Sequence, residues 1–146
     1  MKSEVEILDD LLFGRLHWDR ETQWWEGSVP STARESFTLS VQPHSGTDRT
    51  ISAEARHIFA QVCSDLEGIR RRALQEFLTQ ARSQSFFQGL TLEQLLTHLR
   101  PDAIMVRADG YLEVGFADRE ERVFGGGHGI VSRFWPNGTR DTVLEG

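Results

Sequence analysis

Polar and apolar residues alternate with a period of two in the first and last thirds of the chain, and with a period near 3.6 between them. In "LLFGRLHW", Leu12, Gly14, Leu16 and Trp18 alternate with Phe13, Arg15 and His17, and "DRET" then supplies a polar turn. "QWWEGSV" reads as the returning strand, with Trp25, Gly27 and Val29 on one face and Trp24, Glu26 and Ser28 on the other. Trp25 belongs in the core with Val29. Trp24 needs another cover, either a loop of its own chain, such as "PSTARE" or the N-terminus, or a partner. "SFTLSV" repeats the alternation with Phe37, Leu39 and Val41 on one face.

From Ile51 onward, Ile58, Phe59, Val62, Leu66, Ile69, Phe77 and Ala81 recur at helical spacing and predict one long helix, weakened or kinked at Gly68. A short helix follows. "TLEQ" matches a capping box in which Thr91 caps and Gln94 reaches back. Leu92, Leu95, Leu96 and Leu99 form its apolar side, and Pro101 stops it. Strands return in "AIMVRADGYLEVGF" and "GIVSRFWPNGTRDTVLEG", each with a two-residue hairpin signal, Asp109-Gly110 and Asn137-Gly138. The second would set Trp135 opposite Arg140, a stacked cross-strand pair. The first would put Met105, Leu112, Val114 and Phe116 on one face and Ile104, Val106, Tyr111 and Glu113 on the other, so that neither face is fully polar.

Strands, then helices, then strands, without βαβ alternation, predict an α+β fold. The expected architecture is an antiparallel sheet built from the N- and C-terminal strands, packed against one long and one short helix from the middle of the chain. A length of 146 residues fits a single globular domain, 1–146, with one sizeable core.

Charge narrows the partners. With 16 Lys and Arg against 22 Asp and Glu, the net charge is -6. Nucleic acid is then a poor partner, because phosphate binding depends on Lys and Arg contacts. A basic protein suits this chain better. Cys63 is the only cysteine, which excludes an intrachain disulfide and the usual thiolate zinc sites. No stretch reads as a signal peptide or as a membrane span, so the expected address is a reducing cytoplasm, with no membrane partner.

Candidate chemistry is sparse. "VFGGGHGIV" surrounds His128 with Gly125, Gly126, Gly127 and Gly129. It could be an anion cradle with His128 as acid or base, but it leads into a strand and lacks the Lys-Ser/Thr of a P-loop. A structural turn or bulge is the simpler reading. His17, His44, His57, His98 and His128 show no metal-ligand spacing, and no cofactor is expected. Cys63 lies beside the apolar stripe of the helix as a small inert hydrophobe. Arg70, Arg71 and Arg72 fan around one helical turn and read as a solvated face. "ADREERV" gathers Asp118, Glu120 and Glu121, a solvated loop or an acidic contact surface for a basic protein.

The opening "DDLLFGRLHWDRETQWWEGSV" resembles the start of a bacterial family of small α+β proteins known only as a domain of unknown function. The residues that carry it are Asp10, Leu12, Gly14, Trp18, Trp25, Glu26 and Gly27. The end resembles it too, with Gly126, Gly127 and His128, then Asn137-Gly138, then Glu145-Gly146. Phe13 and the third glycine before His128 depart from the pattern. Such proteins are often found among candidate immunity proteins of toxin systems, and the resemblance brings no catalytic residues with it. Together with that resemblance, a single acidic domain, no recognisable catalytic constellation and apolar residues on both faces of the expected sheet point to a non-enzymatic immunity protein that binds a cognate toxin stoichiometrically. The anchors would be Trp24, Tyr111 and Trp135, with Asp118, Glu120 and Glu121 as the acidic part of the surface. Two alternatives stay open: a small-ligand binder or enzyme using the Gly-rich segment around His128, and a self-associating homodimer.

Overall fold

In a computed structural model, which describes residues 6–31, 35–84, 87–124 and 128–145, the alternating segments form one sheet of eight strands ordered as in the chain. The N-terminal half contributes β1 (Ile7–Asp10), β2 (Gly14–Asp19), β3 (Trp24–Pro30) and β4 (Ser36–Val41). The helices α1 (Ala53–Val62), α2 (Leu66–Ala81) and α3 (Leu92–His98) follow, and then β5 (Arg100–Val106), β6 (Leu112–Ala117), β7 (Gly129–Phe134) and β8 (Arg140–Glu145). The fold is α+β, as the element order implies, but the sheet is mixed. β4 and β5 pair in parallel, Thr38 with Ala103 through Val41 with Val106. The intervening helices carry the chain back to the end of the sheet where β4 began, so β5 re-enters in the same direction. An antiparallel neighbour would have required re-entry at the opposite end.

The long helix is broken, though not at Gly68. A 3-10 turn, Cys63–Asp65, separates α1 from α2. Asp65 leaves the helical region at φ -144° and ψ 70°, and its carboxylate accepts from the Gly68 N–H at 3.0 Å, capping a new helix. Gly68 matters by absence: a Cβ there would lie 2.1 Å from the Asp65 carboxylate. α1 begins at Ser52, whose hydroxyl accepts from Ala55 N and donates to the Ala108 carbonyl, tying the helix to the β5–β6 turn. The Thr91–Gln94 capping box opens α3 as expected.

Both glycine hairpins exist, each one residue longer than the sequence signal suggests. Gly110 donates to the Arg107 carbonyl, and Arg107 N donates to Tyr111 O. Gly138 and Trp135 repeat the arrangement. Each loop thus holds three residues, closed by a glycine at φ near +90°. One extra residue moves the register by one and exchanges faces along a strand. Ile104 pairs with Val114 and Val106 with Leu112, so all four face the core, while Met105, Tyr111 and Glu113 take the other side. The two mixed faces expected at this hairpin become one buried face and one largely polar face. Trp135 likewise does not sit opposite Arg140, which pairs with Phe134.

The core lies between one sheet face and the helices. Leu16, Leu39, Val41, Ile104, Val106 and Leu112 are fully buried against Leu74, Phe77, Leu95 and their neighbours. Trp25 pairs with Trp18 across the β2–β3 ladder, and their rings meet edge-on at 5.1 Å. The indole N–H of Trp25 donates to the Arg49 carbonyl at 2.8 Å. The β1–β2 turn is pinned to α1 from both sides. Asp10 accepts from the N–H groups of Leu12 and Phe13 and from the Arg56 guanidinium, while Phe13 packs on Phe59 at 4.5 Å. The guanidinium beside Asp10 holds its carboxyl below the usual range.

Candidate functional site

The helices lie on one face of the sheet; among the described residues no helix covers the other face, which is mostly polar. His17, Glu26, Ser40, Met105, Glu113, Arg133 and Asp141 form a row across it, read from the cross-strand register. Glu26 accepts from Ser40 at 2.7 Å, and Arg133 grips Asp141 with two hydrogen bonds. The aromatic residues concentrate in the next row, towards the hairpin loops.

Tyr111 and Trp135 meet there at 5.3 Å, with rings tilted by 58°. The Arg107 guanidinium lies 4.8 Å over Tyr111, and that of Arg133 lies 5.2 Å over Trp135. Each arginine is steadied by a carboxylate, Asp109 for Arg107 and Asp141 for Arg133. The result is a run in which the Arg107 guanidinium, Tyr111, Trp135 and the Arg133 guanidinium follow one another, the two aromatic rings in the middle. Tyr111 is at its base, only 9% exposed, and Trp135 is half-buried above it. Burial, and then the Glu113 charge, push the Tyr111 phenol up to about 12, so it stays protonated and can donate. Trp24 belongs to the same row. It lies beyond Gln42 and Arg107, three strand spacings or about 14 Å from Tyr111, and is half-buried. Part of "PSTARE" and the first five residues lie outside the described residues.

The acidic residues do not join this cluster. Tyr111 precedes β6 and Asp118 follows it, so the two are separated by roughly 23 Å of extended chain. Asp118 is also no contact residue in this structure. It is 2% exposed, and its carboxylate accepts from the N–H groups of Arg122, Val123 and Phe124 at 3.0, 2.7 and 2.8 Å. Burial alone would push this carboxyl up, but the three N–H groups and the nearby His98 charge hold it below the usual range. Glu120 and Glu121 are exposed on the loop that Asp118 ties down, with Glu120 near Arg122.

Of the Gly-rich segment, Gly125, Gly126 and Gly127 lie outside the described residues. His128 is half-buried, and its carbonyl accepts from Asp118 N. The next residue, Gly129, sits against β6, where a Cβ would come within 2.6 Å of the Phe116 carbonyl. Here glycine allows two strands to approach. Cys63 is half-buried at the α1–α2 break, and burial pushes its thiol up to about 12. It is protonated at neutral pH and a poor nucleophile.

Sequence reasoning missed a groove of about 850 Å³ behind the β7–β8 hairpin. α1 and the start of α2 form one wall, and Phe134 through Arg140 form the other. Trp135 lines it while also stacking on Tyr111, so the hairpin separates two surfaces. Arg107 and Arg133 were missed as well. A period-two signal could have found Arg133, since it shares a strand face with Trp135 two residues on.

Among the described residues no group of three or more His, Cys, Asp or Glu side chains is placed to hold a metal ion, and no helix is long and apolar enough to cross a membrane. No protein-family profile, curated protein or solved structure matches the chain.

Proposed function

We propose that this protein is an immunity protein that neutralises a cognate bacterial toxin by stoichiometric binding, without turnover. The observation that carries this reading is the aromatic–arginine stack at one end of the helix-free sheet face. Tyr111, Trp135, Arg107 and Arg133 pack together, ion pairs to Asp109 and Asp141 position the two arginines, and Trp24 lies in the same row. Trp, Tyr and Arg supply most hot-spot energy in protein interfaces, and rigid side chains lose little entropy on binding. Trp135 and Trp24 are the contact anchors, and Tyr111 supports Trp135 from below. Glu120 and Glu121, at the other end of the sheet, serve encounter with a basic toxin rather than anchoring, as does the net charge of -6. The resemblance of the chain's two ends to small bacterial proteins found among immunity candidates supports the same reading, as does the expected cytoplasmic address.

The test uses the protein as bait in lysate of its source bacterium. The expected catch is a basic protein held at one-to-one stoichiometry that stops growth when produced alone and not when co-produced with its binder. The double variant Trp24→Ala, Trp135→Ala is expected to weaken that complex by a factor of about 100 or more, while its melting temperature stays near that of the parent. Undiminished protection by the double variant would refute this surface, and capture of nothing but the bait would refute the immunity role.

A further inference from the structure

We propose that the groove between α1–α2 and the β7–β8 hairpin receives an amphipathic helix of a protein partner. This inference rests on the protein-binding reading but assigns a different surface from the Trp24–Trp135 face.

The helical wall is continuous in spacing despite its break. Glu54, His57, Gln61, Asp65, Gly68 and Arg72 follow one another at intervals of three or four, one face of a helix. Ile58, Val62 and Ile69 lie along the same stripe as its apolar floor, and Phe134 closes it from the hairpin side. The wall runs along α1, turns at Asp65 and continues along α2, so it is longer than a compact small molecule needs. A partner helix would lay apolar residues at i, i+3, i+4 and i+7 on its floor.

The charges give the occupant a direction. Elsewhere the arginines of the helices and hairpin are already engaged: Arg56 with Asp10, Arg70 and Arg71 with Glu67, Arg140 with Glu76. Arg72 and Glu54, at opposite ends of the wall, make no ion pair among the described residues. Asp65 is partly satisfied by the Gly68 N–H. A partner helix therefore fits with a cation near Glu54 and an anion near Arg72. The amides of Gln61 and Asn137 and the imidazole of His57 line the rim between them.

The probe is a synthetic 18-residue peptide with a leucine stripe at helical spacing, glutamates in its first turn and lysines in its last, set against a scrambled peptide of identical composition. Backbone amide shifts of the full-length protein would report its site. The expected result is saturable shifts confined to residues 54–72 and 134–140, absent with the scrambled peptide. Arg72→Glu, an exposed change that leaves the core untouched, is expected to weaken binding about fivefold. A peptide with its terminal glutamates changed to lysine should regain that affinity on the Arg72→Glu protein. Shifts on the open sheet face, equal binding of the scrambled peptide, or no binding at about 1 mM peptide would overturn the groove assignment. The two readings fail separately. A captured toxin whose affinity is unmoved by Arg72→Glu and Ile69→Glu sinks the groove alone, whereas a groove that takes the peptide while no toxin is captured sinks immunity alone.

Discussion

Replacing Trp25 with alanine is expected to lower the unfolding free energy by about 4 kcal/mol, whereas the same change at adjacent Trp24 should cost under about 1 kcal/mol. The two indoles differ in their surroundings, not in their chemistry. Trp25 is 6% exposed, edge-on to Trp18, with its N–H committed to the Arg49 carbonyl. Its removal opens a cavity, exposes one side of Trp18 and leaves the Arg49 carbonyl without its donor. Trp24 is half-buried on the opposite face, where water can follow its removal. Urea unfolding of the two single variants measures the difference directly. A similar loss at both positions would show that the outer face is packed as tightly as the inner one.

Asp118→Ala should cost about 2–3 kcal/mol at neutral pH, although the residue looks like one acid among several in a charged loop. Three N–H groups converge on its carboxylate, and without it they are left in a part-buried pocket with no acceptor. Asp118→Asn keeps the shape and one good acceptor, so its loss should be smaller. The pH dependence has a definite sign. The folded-state pKa is lowered below the reference of 3.8, so the stabilisation is fully present above about that pH and disappears as pH falls through the lower, folded value. Parent and Asp118→Asn should therefore differ most near neutrality and converge as the pH falls through the lowered, folded-state value. Denaturant unfolding across that range tests it, and a constant gap between the two proteins would show that charge plays no part.

Much of this molecule is visible in its sequence, and the exceptions have local causes. Period-two alternation assigned Trp25, Phe37, Leu39 and Val41 to the buried face, because one face of each strand meets the helices. The capping box at Thr91 was equally legible, being a purely local exchange of hydrogen bonds. The hairpin loops were located but mis-sized. Asp-Gly and Asn-Gly fit both two- and three-residue loops, and the choice between them decides which face Tyr111 and Met105 occupy. The helix break was expected at Gly68 and lies just before it, at Cys63–Asp65, because the apolar period runs through it undisturbed. Only the reach of Asp65 to the Gly68 N–H marks the new start. β1 was missed as a strand, since four residues ending in Asp9-Asp10 show little alternation. For the site, the aromatic anchors were legible as unusual residues on strand faces. The burial of Asp118 was not, because nothing in "ADREERV" distinguishes the acid that receives three N–H groups from the two that remain in water.

The single parallel seam also dictates the order in which this chain can assemble. Every other strand pair joins segments close in sequence, but Thr38 meets Ala103 across 65 positions. Two meanders, β1–β4 and β5–β8, can each form by short loop closures, while the seam must wait for the longest one and for the helices that span it. The protein is then, kinetically, two ribbons and a late suture. Amides of β4 and β5 that bond across the seam should be the last to gain protection in pulsed hydrogen exchange during refolding. Should they be protected together with the β2–β3 hairpin, the helices would have to dock before either ribbon is complete.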